Sequence, residues 1–177
     1  MYYDINFCGN SEWYGLKSIK PVVGGKEIFN KKGLTILKHP DKGLFRRAIE
    51  KALVDVVWPD RKGKDKLHHP YTLLNNVNAK LMAKYNVCLL FPFRDILKSS
   101  GIERAKIWNR MKYEMGICIK KGVPVIIASM AENEKELVGL HTLRAFGELL
   151  GLPPQDAKKA LYYPQKKILE RENGTNA

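Results

Sequence analysis

Residues 87–128 read VCLLFPFRDILKSSGIERAKIWNRMKYEMGICIKKGVPVIIA, two short apolar runs on either side of a long mixed segment. Val87 to Phe91 and Val123 to Ala128 are rich in Val, Ile and Leu with little polar alternation, as strands buried on both faces are. Between them, Ala105, Trp108, Met111, Met115 and Ile119 recur at helical spacing, which predicts a helix over Ile102 to Lys121. Ser100-x-x-Glu103 has the form of a capping box at its start. Strand, helix and strand of this kind make a parallel βαβ unit.

The same alternation extends outward. Further strands are predicted at Tyr2 to Phe7, Ser18 to Val23, Leu34 to Leu37 and Leu53 to Trp58. Helices are predicted at Leu44 to Ala52, and at Leu73 to Lys84 with Leu74, Val77, Leu81 and Tyr85 on one face. Thr142 to Leu150 is stopped by Gly151 and Pro153-Pro154, and Gln155 to Tyr162 by Pro164. Gly24-Gly25 and the charged, proline-bracketed stretch Pro59 to Pro70 are loops. The second follows a strand and precedes a helix, which puts it at the C-terminal edge of the sheet, where α/β folds carry binding loops. The reading is one α/β domain over residues 1–170 with a frayed tail at 171–177. A full eight-unit barrel takes about 250 residues, about 200 at the small end, so 177 residues imply shortened units, chiefly in the N-terminal half.

No apolar run approaches the roughly 20 residues of a membrane span. The N-terminus lacks a basic region followed by an apolar one, so the expectation is a soluble, cytoplasmic protein with no membrane partner. Cys8, Cys88 and Cys118 are too far apart for a C-x-x-C site and read as reduced core thiols. Charge is the informative excess: 31 Lys and Arg against 18 Asp and Glu, net +13. Residues 1–70 hold 14 basic and 8 acidic groups, residues 71–121 hold 10 and 3, and residues 122–177 hold 7 and 7, so the whole excess lies in the first 121 residues. Such a field attracts a polyanion, nucleic acid foremost, or is simply a solvated basic surface.

Phosphate-binding glycine loops, a nucleophile elbow and a zincin helix motif are all missing from the sequence. Of the four histidines, His68 and His69 are adjacent in a loop and need carboxylate help to hold a metal. Asp4-Ile5-Asn6 ends the first strand, where metal-dependent phosphoesterases of similar architecture carry Asp or His ligands. Asn6 brings no charge to a metal, and no metal site is expected. Arg104 falls between Trp108 and Met111 on the predicted buried stripe, in the first helical turn, where a cation needs an anion beside it. Arg94, just beyond a strand end, is expected on the same rim. The two arginines either converge on a phosphate or a partner carboxylate, or close internal salt bridges to Asp95, Glu103 or Asp4. Lys80 and Lys84, and likewise Lys106 and Arg110, are one helical turn apart and read as solvent faces able to meet phosphates. Tyr162-Tyr163 among Lys158, Lys159, Lys166 and Lys167 is either a stacking surface or a pair of core tyrosines at a helix end.

Three blocks then carry a resemblance: Asn78-Ala-Lys-Leu-Met-Ala-Lys-Tyr-Asn-Val-Cys-Leu-Leu-Phe91, Phe93-Arg-Asp-Ile-Leu97 and Glu103-Arg-Ala105. They are followed, in order, by Ile127-Ala-Ser129, Leu143-Arg-Ala-Phe-Gly-Glu-Leu-Leu-Gly-Leu152 and Gln155-Asp-Ala-Lys-Lys-Ala160. Over residues 53–169 the chain resembles archaeal ribonuclease P protein component 3, the homologue of a 30-kDa subunit of the eukaryotic enzyme. The first 52 residues look like a reduced version of that family's N-terminal half. The resemblance implies a shortened TIM-barrel-like fold related to the PHP phosphoesterases without their metal centre. It also implies a subunit role in an endoribonuclease that removes 5′ leaders from precursor tRNA. In that role the RNA carries out the hydrolysis with Mg2+, the chain binds no cofactor and supplies no catalytic residue, and the partners are ribonuclease P RNA, protein component 2, precursor tRNA and other ribonuclease P proteins. Lys80, Arg94 and Arg104 match the family pattern. Val138, Leu140, Thr142 and Asn76 stand where the family often has Arg, Pro, Asp and His, so no family role is carried to those positions. The alternative reading is a stand-alone PHP-like metal-dependent phosphoesterase, which needs three or more ligands at the strand ends; a further one is a partner-binding module whose basic surface is incidental.

Overall fold

Each apolar run of four or five residues is too short for a helix and becomes a strand whose alternate side chains face opposite ways. The computed structural model describes residues 2–9, 15–29, 33–65, 70–164 and 166–167. Its strands are β1 (Tyr3–Ile5), β2 (Lys17–Ile19), β3 (Val22–Gly24), β4 (Thr35–Lys38), β5 (Val56–Trp58), β6 (Cys88–Pro92) and β7 (Val125–Ala128). All pairings are parallel: β1 with β2, then β3-β4-β5-β6-β7 in sequence order. The two sheets meet where the Met130 amide donates to the Ile5 carbonyl at 2.9 Å and the Phe7 amide to the Ala131 carbonyl at 2.8 Å. On the other side β2 runs into β3 through Lys20-Pro21. The strands therefore follow one another round a closed circuit, a shortened barrel.

The packing confirms closure. Tyr163, beyond α6, packs against a cluster formed by Ile5, Ile36, Val56, Trp58, Cys88, Leu90, Ile126 and Ala128 and joined by half-buried Ile19 and Val23. These are alternate positions drawn from every strand, so they fill the barrel interior, as side chains do in small barrels. The opposite positions, among them Leu37, Val57, Leu89, Phe91 and Ile127, pack beneath the helices in a second cluster.

The helices are α1 (Lys42–Glu50), α2 (Asn76–Lys84), α3 (Phe93–Leu97), α4 (Gly101–Lys121), α5 (Leu140–Leu150) and α6 (Pro154–Ala160). Asp41 caps α1 by accepting from the Leu44 amide, and Asn75 caps α2 by accepting from the Asn78 amide, both at 2.8 Å. Gly122 and Gly151 end α4 and α5 in the left-handed conformation. Gly147 lets α5 lie on the barrel, since a Cβ there would stand 2.3 Å from Ile127 Cδ1.

Several expectations change. The strand predicted as Ser18 to Val23 is two, because Pro21 has no amide to offer a ladder and the segment changes partner there. Ser100 does occupy the N-cap of α4, but its side chain makes no capping bond. Instead of completing a capping box, Glu103 pairs with Lys62 at 3.2 Å. The buried face of α4 is Ile107, Arg110, Met111, Glu114, Met115 and Cys118; Ala105 and Ile119 face solvent and Trp108 is half-buried. On α2 the buried residues are Ala79 and Met82, while Val77 is 58% exposed. The His68-His69 pair and the tail at 171–177 lie outside the described residues.

Candidate nucleic-acid interface

Past the C-terminal end of β5 the chain enters Pro59 to Asp65, the charged loop, and there the barrel's polar chemistry concentrates. Arg61 turns inward and is 2% exposed. Its Nε donates to Glu114 Oε2 at 2.8 Å, Nη2 to the Leu90 carbonyl at 2.9 Å, and Nη1 lies 3.5 Å from Asp95 Oδ2. The guanidinium also sits 5.1 Å from the centre of the Phe91 ring. Glu114, fully buried on α4, takes a second bond from the Thr72 hydroxyl at 2.6 Å. A buried charge is tolerated only when paired and hydrogen-bonded, and both partners meet that condition.

One turn earlier on α4, Arg110 grips the same loop from outside. Its Nε donates to Asp65 Oδ1 at 2.8 Å, Nη2 to the Gly63 carbonyl at 2.8 Å, and Nη1 to the Arg61 carbonyl. Arg110 is 4% exposed, so its expected place on a solvent face with Lys106 is corrected: the loop covers it. The Arg110 hydrogen bond holds the Asp65 carboxyl below the usual carboxylate range, helped by the Tyr71 amide. Tyr71 lies across Gly63, where a Cβ would come within 2.4 Å of the ring, so glycine is needed for the close approach.

Beside this clamp the loop and the first turns of α4 enclose an open cleft of about 660 Å3, lined by Lys62, Lys64, Asp65, Glu103, Lys106 and Arg110 among others. Lys106 is exposed as predicted; Ile102 at the lip is 77% exposed.

A second cluster occupies the rim around Trp58. Its indole N–H donates to Asp95 at 3.3 Å, His39 meets its ring edge to face at 5.3 Å, and Lys38 and Arg94 lie 5.0 and 5.9 Å from its centre. Burial pushes the Asp95 carboxyl up, with Arg61 and the Trp58 bond opposing, and burial pushes His39 down. Arg94 does not find Asp95, Glu103 or Asp4; it pairs with Glu132 at 2.6 Å, and Lys98 bridges Glu132 and Glu136 at 2.9 Å each. Arg104 is exposed rather than buried, and its Nε donates to the Ser99 carbonyl at 2.7 Å. A carbonyl replaces the expected anion, and the two arginines have separate partners. Lys80 and Lys84 are exposed on α2, with Lys84 5.2 Å from the Tyr85 ring.

Asp4 and Asn6 alternate with Ile5, which fills the barrel interior, so they point to the other face. The Ser129 amide and hydroxyl donate to the two Asp4 oxygens at 2.7 and 2.5 Å, and the Asn6 amide group donates to Asp4 and to Ser18. Burial raises the Asp4 carboxyl. Among the described residues no three His, Cys, Asp or Glu side chains come together as metal ligands, and no helix is long and apolar enough to cross a membrane. Of the C-terminal aromatic and lysine group, Tyr162 is exposed and Lys166 lies 5.6 Å from the Tyr163 ring, but Lys167 is buried and donates to the Asn86 carbonyl. Lys159 pairs with Asp156.

Arg61, Glu114 and the Arg110 grip were not expected as a unit. Their one signal in sequence is a pair of opposite charges, Arg110 and Glu114, one turn apart inside the apolar stripe of α4.

Residues 27–176 match the family model of RNase P subunit p30. The chain belongs to that family. The p30 match begins well before residue 53, so it takes in β4 and α1 as well as the central blocks. Ribonuclease P protein component 3 of Methanosarcina mazei is 27% identical over 172 residues, covering 88% of this chain and 71% of that protein. The component 3 of Methanocaldococcus jannaschii is 28% identical over 137 residues, 77% of this chain and 56% of that one, so this chain spans little more than half of some p30 relatives. Among solved structures, a chain of a cryo-EM structure of archaeal ribonuclease P with mature tRNA superposes with TM-score 0.70 over 94% of this chain and 79% of its own, at 22% identity. That likeness shows that the two chains share a fold.

Proposed function

We propose that this chain acts as a protein subunit of ribonuclease P in the cytoplasm, binding the ribonuclease P RNA and pairing with protein component 2, while the RNA and its Mg2+ cleave the 5′ leader from precursor tRNA. The observation that supports it most is the p30 family match over residues 27–176 on a chain of net charge +13. A barrel of that charge, which keeps Lys80, Lys84, Arg104 and Lys106 exposed, has the means to hold phosphates and screen them. Arg94, Arg104, Lys80, Lys84 and Lys106 remain its candidate contacts to RNA or partner; Arg110 acts behind them by holding the loop.

The test is reconstitution. With ribonuclease P RNA and component 2 present, adding this chain raises precursor tRNA cleavage and lowers the Mg2+ requirement; alone it cleaves nothing. RNA binding falls steeply with salt, as phosphate contacts require. Arg94→Ala and Arg104→Ala weaken assembly or activity more than Lys84→Ala, because both arginines are held by fixed acceptors, Glu132 and the Ser99 carbonyl. Cleavage that is the same with and without the chain at every Mg2+ concentration refutes the proposal.

A further inference from the structure

The cleft between the Pro59–Asp65 loop and α4 is built differently from the other cationic surfaces. Its acidic walls are already committed: Asp65 to Arg110 and the Tyr71 amide, Glu103 to Lys62. Lys64 and Lys106, both exposed on its lining, hold no ion pair among the described residues. The loop that carries Lys64 is held by the three bonds of Arg110 to Asp65 Oδ1 and the Arg61 and Gly63 carbonyls, and Arg61 is anchored in turn to Glu114 of α4 and the Leu90 carbonyl of β6. Two ammonium groups on a fixed frame, facing an open cleft of about 660 Å3 ringed by charge, suit an extended anion better than an apolar ligand, whose pockets are enclosed and mostly apolar. Lysine supplies a compact point charge that can meet a phosphate oxygen from many directions, so the match is to backbone phosphate.

We propose that this cleft is a phosphodiester-binding site of the chain, with Lys64 and Lys106 on adjacent RNA phosphates and Arg110 as the positioning residue that sets the loop. The assignment rests on the ribonuclease P reading above and names where on the barrel the RNA backbone is taken. An acidic segment of a protein partner is the rival occupant.

The experiment measures binding of ribonuclease P RNA by the full chain in complex with component 2, across salt concentrations. Lys64→Ala/Lys106→Ala lowers the slope of log affinity against log salt by about two, about one for each lost phosphate contact. Lys42→Ala/Lys51→Ala, which removes the same charge from exposed positions at the two ends of α1, leaves the slope within a few tenths. Gly63→Ala removes no charge but drives a Cβ into the Tyr71 ring, so it displaces the loop and lowers the slope by about one. Thermal melts of each variant show that the barrel is folded. An equal loss from the α1 pair, or no loss from the cleft pair, overturns the assignment while leaving the subunit role intact. An unchanged slope with lost component 2 binding transfers the cleft to a protein partner and also overturns it. A wild-type complex that fails to bind the RNA at low salt removes the subunit reading itself, and the assignment with it.

Discussion

The Pro59–Asp65 loop and the outer face of α2 carry charge of the same sign and treat it in opposite ways. In the loop, Arg61 is 2% exposed and bonds to Glu114 and the Leu90 carbonyl, and Arg110 reaches over from α4 to close the outside. On α2, Lys80 and Lys84 stand exposed one turn apart, with the Tyr85 ring near Lys84. The first pair of cations shapes the surface, and the second is the surface. A count of 31 Lys and Arg treats them alike and overstates what is free to meet phosphate; the net excess of 13 has already set Arg61 and Arg110 against Glu114 and Asp65.

The contrast breaks first at Arg61. Replacing it by alanine strands the fully buried Glu114, with an expected loss of roughly 3–5 kcal/mol, the cost of breaking a buried pair from one side. Urea unfolding measures it as a lower midpoint; a loss below about 1 kcal/mol would mean that Glu114 relaxes to water and the clamp is ornamental. Arg110→Ala costs less, about 1–3 kcal/mol, because it leaves two neutral carbonyls and the partly exposed Asp65 without a donor rather than a fully buried carboxylate. Hydrogen exchange of the amides from Lys62 to Asp65 should speed up while that of β6 stays slow.

A smaller effect sharpens the comparison through pH. The Asp65 carboxyl sits below its ordinary range, so in the folded state it releases its proton more readily than in the unfolded chain. Its contribution to stability is complete above the ordinary carboxylate range and disappears as pH falls through its depressed value. Asp95 has the opposite sign: burial raises it, so stability falls as pH rises from the ordinary range through its raised value. Urea midpoints measured from about pH 3 to pH 7 should lose their acid-side drop in part in Asp65→Asn and their fall above the ordinary range in part in Asp95→Asn, windows that follow from the carboxylate reference near 4. Smallest of all, Lys80→Ala/Lys84→Ala should leave stability within about 0.5 kcal/mol, as surface changes do; a larger loss would show that α2 also uses its lysines structurally.

Most of the barrel was legible because its strands are buried on both faces and read as plain apolar runs. β6 and β7 were placed to within two residues for that reason, and α4 to within one by its helical spacing. The break at Lys20-Pro21 was not, since Ser18 to Val23 keeps a strand-like composition across it and only the change of partner divides it. The site was read less well. The charged loop was located at the correct edge of the sheet, yet Arg110 was assigned to solvent and Arg104 to the interior. Apolar periodicity set the stripe of α4 by Ala105 and Ile119, and the true face includes Arg110 and Glu114, whose burial depends on Arg61 and Asp65 more than 40 residues earlier. No local pattern carries that dependence. Lys80, Lys84 and Lys106 were placed correctly because exposed lysines need no distant partner.

The bent strip from Lys17 to Gly24 gives its first half to β1 and its second half to β4. At its elbow two neighbours share one ribbon, so the cylinder has a natural zipper there. Under mild denaturant or force it should flex open first at that elbow, where no ladder joins β2 to β3, while β5, β6 and β7, each laddered to a neighbour along its length, still hold together as a curved slab beneath α4.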